Sequence, residues 1–248
     1  MILLKSPREI ARMEKANRMV AEILEEVKER VRPGVETREL DEVAEEGCRR
    51  RRVEPAFKGY RGYPASVCVS VNEEVVHGIP GARRLQDGDL VSLDFGVRHD
   101  GFYGDAALTL PVGEVAPEAR KLLEATRESL DAAIAQVKVG ARLSDISHAV
   151  QTVVESQGFA VIREFVGHGI GRSLHEDPQI PNFGPPGRGP VLQAGMTMAI
   201  EPMTSSGSWR VRILADGWTA VTQDGSLAAH FEHTVALTDN GVLVLSRL

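Results

Sequence analysis

The sequence predicts a mixed α+β fold built from two copies of a helix–helix–sheet unit. Three observations carry this reading. Residues 24–43 (LEEVKERVRPGVETRELDEV) and 130–149 (LDAAIAQVKVGARLSDISHA) read alike when Gly34 is aligned with Gly140. Each passage is a long helix, a glycine turn and a shorter helix, with apolar residues at helical spacing. Each is followed by a strand-rich stretch, 63–110 and 160–246, punctuated by turn dipeptides.

The elements follow in order. Ser6-Pro7-Arg8-Glu9 is a helix start: Ser6 caps, Pro7 suits the first helical position, and Glu9 completes a capping box. Ile10, Met13, Val20, Leu24, Val27 and Val31 fall on one stripe, which Asn17 interrupts, and Pro33-Gly34 ends the helix. Thr37 is expected to cap a second helix through Leu40, Val43 and Ala44 to about Arg52. The alignment on Gly140 pairs Leu24 with Leu130, Val31 with Val137, Arg32 with Lys138 and Leu40 with Ile146. Asp87-Gly88, Asp100-Gly101, Asp216-Gly217, Asp224-Gly225 and Asn240-Gly241 mark turns between strands. Pro181–Pro190 (PNFGPPGRGP) reads as a rigid loop, and no linker divides the chain. The expectation is a single domain over 1–248, with repeats at about 7–110 and 116–246.

Composition narrows the function. The chain has 248 residues, is 42% hydrophobic and carries a formal charge of −6. It is too apolar for disorder. An acidic balance argues against a general nucleic-acid binder, which needs Lys and Arg to neutralise phosphates. No apolar run approaches the ~18 residues of a membrane span, and no signal peptide is visible at the start. Two separated cysteines, Cys48 and Cys68, suit a reducing compartment, so a cytoplasmic protein is expected. The basic run Arg49–Arg52 reads first as a solvated helix end; contact with ribosomal RNA is the alternative.

A set of carboxylates and histidines resists a purely structural explanation. In Leu90–Val97, Val91, Leu93, Phe95 and Val97 face one way, and Ser92, Asp94 and Gly96 the other. A turn centred between His99 and Asp100 would set Asp94 opposite Asp105, and like charges so placed repel unless a cation lies between them. Gly167-His168-Gly169-Ile170-Gly171 puts an imidazole among glycines that permit close backbone approach to a ligand. Glu201 ends a strand Met196–Glu201, and Glu232 lies in a strand 228–237 on the face of His230 and Thr234. Buried acids need partners. Four carboxylates and one imidazole form a hard, oxygen-rich donor set that suits Mn, Fe(II) or Co. They exceed what one ion needs, and two ions would make a hydrolytic site. His77 and His175 remain to meet a substrate.

The motifs SVCVSVNEEVVHGIP, LDFGVRHDGFYGDAA, GHGIGRSLHEDP, AIEPM and FEHT, in this order, resemble those of type I methionine aminopeptidases. The resemblance runs from the first capped helix to Asp239-Asn240-Gly241, and the chain is similar to the short bacterial form. It implies the pseudo-twofold pita-bread fold, a curved antiparallel sheet backed by helix pairs. It implies that Asp94 binds one metal, that Asp105 and Glu232 bridge two, and that His168 and Glu201 complete the coordination of the second metal. A bridging water or hydroxide would attack the scissile carbonyl, and Glu201 would shuttle its proton. His77 would contact the amide nitrogen, and His175 the carbonyl or the tetrahedral oxyanion. The methionine pocket would come from Phe57, Tyr60, Tyr63, Cys68, Leu174 and Trp218, with core packing as the competing explanation for Phe57 and Cys68. Leu174 and Phe57 stand where relatives often carry other residues, so the pocket's shape is expected to differ while the substrate class does not.

The resemblance further implies removal of the initiator methionine from nascent proteins whose second residue is small. Two divalent ions would serve as cofactors: Co, Mn or Fe(II) first, with Zn or Ni also accommodated. A monomer is expected, with peptide N-termini as partners, at most a transient ribosome contact, and neither a membrane nor a specific nucleic acid. Met1-Ile2 carries a bulky second residue, so the chain is expected to keep its own Met1. The competing readings are an Xaa-Pro-cleaving relative, for which the helix starting at Ser6 leaves no added N-terminal domain, and a non-catalytic binding protein, which need not retain the ligands.

Overall fold

In the computed structural model, which describes residues 1–247, helix α1 (Pro7–Lys28) starts on the expected capping box. The Ser6 amide donates to Glu9 Oε2 at 2.9 Å, and the Glu9 amide donates to Ser6 Oγ at 3.4 Å. The helix stops at Lys28, short of Val31, and Val31 packs against the core from the turn that follows. Helix α2 (Thr37–Arg51) begins one residue earlier than expected. Its cap is Glu36, which forms a capping box with Glu39. The Thr37 hydroxyl is drawn away by tertiary structure: it accepts from the Gly81 amide at 2.8 Å and donates to the Gly81 carbonyl. Arg51 pairs with Glu22 and Glu26 of α1, Arg50 with Glu26 and Arg49 with Glu46, so the basic run largely staples the two helices.

The first strands are β1 (Glu54–Pro55), β2 (Val67–Val71), β3 (Glu74–Val76), β4 (Leu90–His99) and β5 (Phe102–Pro111). Helices α3 (Pro117–Ala135) and α4 (Leu143–Ser156) follow. Then come β6 (Ala160–Val161), β7 (Gly167–Gly169), β8 (Glu176–Ile180), β9 (Thr197–Ile200), β10 (Met203–Ser205), β11 (Val211–Ile213), β12 (Ala220–Thr222), β13 (Ala228–His230), β14 (Glu232–Thr238) and β15 (Gly241–Val244). The main sheet is antiparallel and runs β1-β4-β5-β14-β9-β7-β8, with β2 added on β4 and β15 on β14. Two small sheets, β13-β10-β6 and β11-β12-β3, extend it. Leu248, the end of the expected domain, lies outside the described residues. Among the described residues, no helix is long and apolar enough to cross a membrane.

The apolar face of each half-sheet is covered by its own helix pair. Val20, Ile23 and Leu24 of α1 and Leu40 and Ala44 of α2 bury against Val69 of β2 and Leu93, Phe95 and Val97 of β4. Leu130 and Ala133 of α3 and Ile146 and Val150 of α4 bury against Met198 and Ile200 of β9 and Val235 of β14. Helices seal the apolar side of the sheet, and on β4 Asp94 alternates with the sealed Leu93 and Phe95, which places it on the opposite face.

Two expected strand details are corrected. The β4–β5 pairing sets Gly96 opposite Asp105 and Asp94 opposite Ala107. Asp100 and Gly101 both take positive φ, 52° and 78°, which makes them the two central residues of the hairpin turn. The turn is therefore centred one residue later than expected, and each partner moves by two. A two-residue shift preserves the face, so Asp94 and Asp105 become diagonal neighbours on one side. The strand expected over 228–237 is broken at Phe231, whose amide turns to the Pro202 carbonyl; β13 and β14 belong to different sheets.

Candidate metal centre

The main sheet delivers five of the candidate residues to one place. Asp94 sits on β4, Asp105 on β5, Glu232 on β14 and His168 on β7, and Glu201 directly follows β9, so five neighbouring strands of the sheet contribute. His168 Nε2 lies 3.4 Å from Glu201 Oε1 and 4.0 Å from Asp105 Oδ2. Donor atoms of Asp105, His168 and Glu232 all lie within 4.8 Å of one another. Asp94 pairs across strands with Cys68 of β2, which places the thiol on the same face.

The chemistry of this cluster calls for a cation. Asp94 Oδ1, Asp105 Oδ1 and Glu232 Oε1 are buried and have no hydrogen-bond partner among the described residues. Burial pushes the Asp94 carboxyl up to about 7. Burial, and then the Asp94 and Glu201 carboxylates, push Asp105 well above the usual range. Burial also raises Glu201 and Glu232, with neighbouring carboxylates adding to it. Such crowded acids stay charged only where a positive ion compensates them. The His168 imidazole is suited to the same role. Its Nδ1 lies 2.9 Å from the Gly169 carbonyl, so the proton sits there and Nε2 offers its lone pair to the carboxylate cluster. Burial lowers its pKa to about 3, which keeps it neutral.

The two remaining histidines stand at a cavity of roughly 190 Å³ beside these carboxylates. His77, at φ 60°, meets Phe165 and Trp218 edge to face, and burial lowers its pKa to about 4. His175 lies at the rim. Its Nδ1 is 2.9 Å from the Tyr60 hydroxyl, and its ring centroid is 4.2 Å from that of His168. Burial first, and then the charge of Arg61, lower its pKa. All six residues expected to form the methionine pocket, Phe57, Tyr60, Tyr63, Cys68, Leu174 and Trp218, line this cavity. Phe57, Cys68 and Leu174 are also buried in one apolar cluster with Met13 and Phe102, so packing and pocket are served by the same side chains.

The glycines around His168 work differently from the expectation. A Cβ on Gly167 would lie 2.5 Å from the Ala199 carbonyl, and one on Gly169 would collide with the Asp177 carbonyl. These glycines let β7 close against its neighbouring strands, and so fix His168 indirectly.

Several contributors were not legible from the sequence. Phe165, Met203 and Arg61 line the cavity. Met203 shares the AIEPM motif with Glu201, which is the one signal that could have found it. His230 lies buried with its Nε2 3.9 Å from Glu201 Oε2. Asn17, which interrupts the stripe of α1, is fully buried. Its Nδ2 donates to the Met13 carbonyl at 2.9 Å, and its Oδ1 accepts from the Asp105 amide at 3.3 Å. Helix α1 thereby holds the backbone of a cluster carboxylate. Asn17→Ala should cost about 1–3 kcal/mol in urea unfolding, because it strips a partner from a buried amide; an unchanged midpoint would show that this bond does not contribute.

Comparison with known proteins agrees with this geometry. The model of metallopeptidase family M24 matches residues 11–239. The chain belongs to metallopeptidase family M24. It is 53% identical over 248 residues to methionine aminopeptidase 1 of Bacillus subtilis, covering both chains fully. It is 54% identical over 246 residues to the methionine aminopeptidase of Clostridium perfringens, covering 99% of each. Among solved structures, the methionine aminopeptidase of Thermotoga maritima superposes with a TM-score of 0.98 at 53% identity over the whole of both chains. The prolidase of Pyrococcus horikoshii, at 22% identity, shares the fold with a TM-score of 0.81, and this chain covers 64% of its length. The M24 chain described here thus has the pita-bread architecture that its motifs implied.

Proposed function

We propose that this M24 peptidase removes N-terminal methionine from nascent proteins whose second residue is small. The observation that carries the reading is the buried cluster of four carboxylates and one neutral imidazole opening onto an aromatic-lined cavity. Asp94, Asp105, His168, Glu201 and Glu232 would hold two divalent ions, with Co, Mn or Fe(II) preferred by so oxygen-rich a set. Bound there, such ions lower the pKa of water and polarise a carbonyl. Glu201 would hold the proton of the attacking water and pass it towards the leaving amine. His77 would contact the scissile amide nitrogen. His175, fixed by Tyr60, would stabilise the developing oxyanion. Tyr63, Cys68 and Trp218 would receive the thioether side chain, for which aromatic and thiol surfaces are well suited. A single duplicated domain, a monomeric state and a cytoplasmic location belong to the same proposal. So does a transient ribosome contact at Arg49–Arg52, although Arg49, Arg50 and Arg51 already pair with glutamates.

A peptide panel with metal removal and add-back tests the reading. Met-Ala-Ser should be cleaved at its first bond, activity should vanish on metal removal, and single ions should restore it. Cleavage of Ala-Pro-Ala in preference to Met-Ala-Ser would instead assign the chain to the Xaa-Pro-cleaving relatives.

A further inference from the structure

A buried ion pair lies beside the centre and takes no part in the chemistry assigned above. Lys5 Nζ contacts Glu176 Oε2, and the two side chains are 5% and 7% exposed. Lys5 belongs to the segment preceding α1, and Glu176 directly follows His175. Taking two charges out of water is costly, so such a pair is weak evidence for stability and stronger evidence that a conformation is being fixed. Three observations identify the conformation. Glu176 Oε1 accepts from the backbone amides of Arg172 at 2.7 Å and Ser173 at 3.1 Å, closing the loop that leaves β7 and returns at β8. The Lys5 amide donates to the Gly195 carbonyl at 2.7 Å, and Lys5 Nζ donates to the Leu3 carbonyl at 3.0 Å, so the lysine is itself held. A Cβ on Gly171 would collide with Lys5 Cε and lie 2.8 Å from Glu176 Oε1. The last glycine of the GHGIG motif is thus the space the ion pair occupies.

We infer that Lys5 and Glu176 are positioning residues that fix the 170–175 loop and thereby aim His175 at the substrate carbonyl. The carboxylate does this from two directions: it gathers the loop amides with one oxygen, and with the other it ties the loop to the N-terminal segment. Glu176 also pairs across strands with Gly169, next to His168, so the same contact braces the two histidines whose rings approach to 4.2 Å. The inference rests on the role proposed for His175.

The test separates a positioning role from a merely stabilising one. Lys5→Met leaves the Glu176 charge buried and unpaired, and should lower both Tm and kcat on Met-Ala-Ser. Lys5→Met/Glu176→Leu buries no charge and should recover Tm, yet kcat should stay about ten- to a hundredfold down with KM within about twofold. Lys5→Met/Glu176→Gln keeps a neutral acceptor for the two amides and should recover most of kcat. Metal content by elemental analysis should be the same in all. Parental kcat in the Leu double variant, or kcat that follows Tm through the whole series, overturns the inference. If the Leu variant does not fold, Lys5→Met alone decides it: the imidazole resonances of His175 should broaden or split while those of His148 stay, and an unchanged His175 overturns the proposal. His175→Ala is the control for the underlying reading. A His175→Ala protein with parental kcat defeats the role of His175, whereas loss of kcat there and not in the Leu variant defeats only the ion pair.

Discussion

Asp94→Asn is expected to lower metal-dependent turnover of Met-Ala-Ser by more than about a hundredfold. The substitution keeps the shape of the side chain and removes its charge at a position whose Oδ1 is buried with no hydrogen-bond partner among the described residues. Residues that only orient a metal ligand cost about 10–100-fold when removed, so loss of a donor itself should cost more. The amide also turns an acceptor into a donor facing the neighbouring carboxylates, which favours no cation. Elemental analysis should find fewer bound ions per chain than in the parental protein, and excess metal should recover only part of the rate. Parental turnover with parental metal content would remove Asp94 from the centre. Full activity of the unmodified chain after rigorous metal stripping would remove the metal mechanism altogether.

The fold was most legible where its causes are local. The start of α1 is written in Ser6, Pro7 and Glu9, and those residues make the bonds their types permit. The apolar faces of α1 and β4 follow from spacing, and the same residues form the first half of the core. The β4–β5 register was less legible because it depends on Asp100 adopting positive φ, a choice made by the hairpin as a whole. The break at Phe231 was invisible for a related reason. Alternation continues through it unchanged while the chain passes from one sheet to another. Thr37 was a fair capping candidate by type, but Gly81, far along the chain, claims its hydroxyl.

The same division runs through the site. The five proposed donor residues and two histidines stand in short motifs, as acids within strand-like stretches or imidazoles beside glycines, so they could be singled out one by one. What holds them could not. Asn17 reaches Asp105 across 88 residues of chain, and Lys5 reaches Glu176 across 171. In the sequence, Asn17 is only a gap in a stripe and Lys5 only a polar residue before a helix. Their roles arise from packing α1 and the N-terminal segment against the sheet.

Removing metal should make the chain's stability fall as pH rises above about 7.5, opposite to the trend of a protein dominated by surface carboxylates. The sign follows from two groups of buried residues. His168 and His230 have pKa values lowered to about 3, and His77 and His233 to about 4, each chiefly by burial. The folded chain keeps these rings neutral where the unfolded chain would protonate them. Their contribution therefore grows with pH through the unfolded value near 6.5 and is complete about one unit above it, by pH ~7.5. The carboxylates act the other way. Asp94 is raised to about 7, and Asp105, Glu201 and Glu232 well above the ordinary range. The folded metal-free chain holds protons there that the unfolded chain has released, so stability is lost as pH climbs through the folded values. Between pH about 7.5 and 8.5 this second group sets the slope. Each carboxylate still protonated in the fold contributes up to about 1.4 kcal/mol per pH unit, or about 3–6 °C of Tm for a chain of this size. Divalent ions should abolish the slope, because they hold the same carboxylates charged and bind more tightly as protons cease to compete. Thermal unfolding of chelated and metal-loaded protein across this range checks both limbs. A chelated protein whose Tm is flat or rising from pH 7.5 to 8.5 would mean that the carboxylates are compensated by the protein itself, and the case for a cation at this cluster would lose its physical basis.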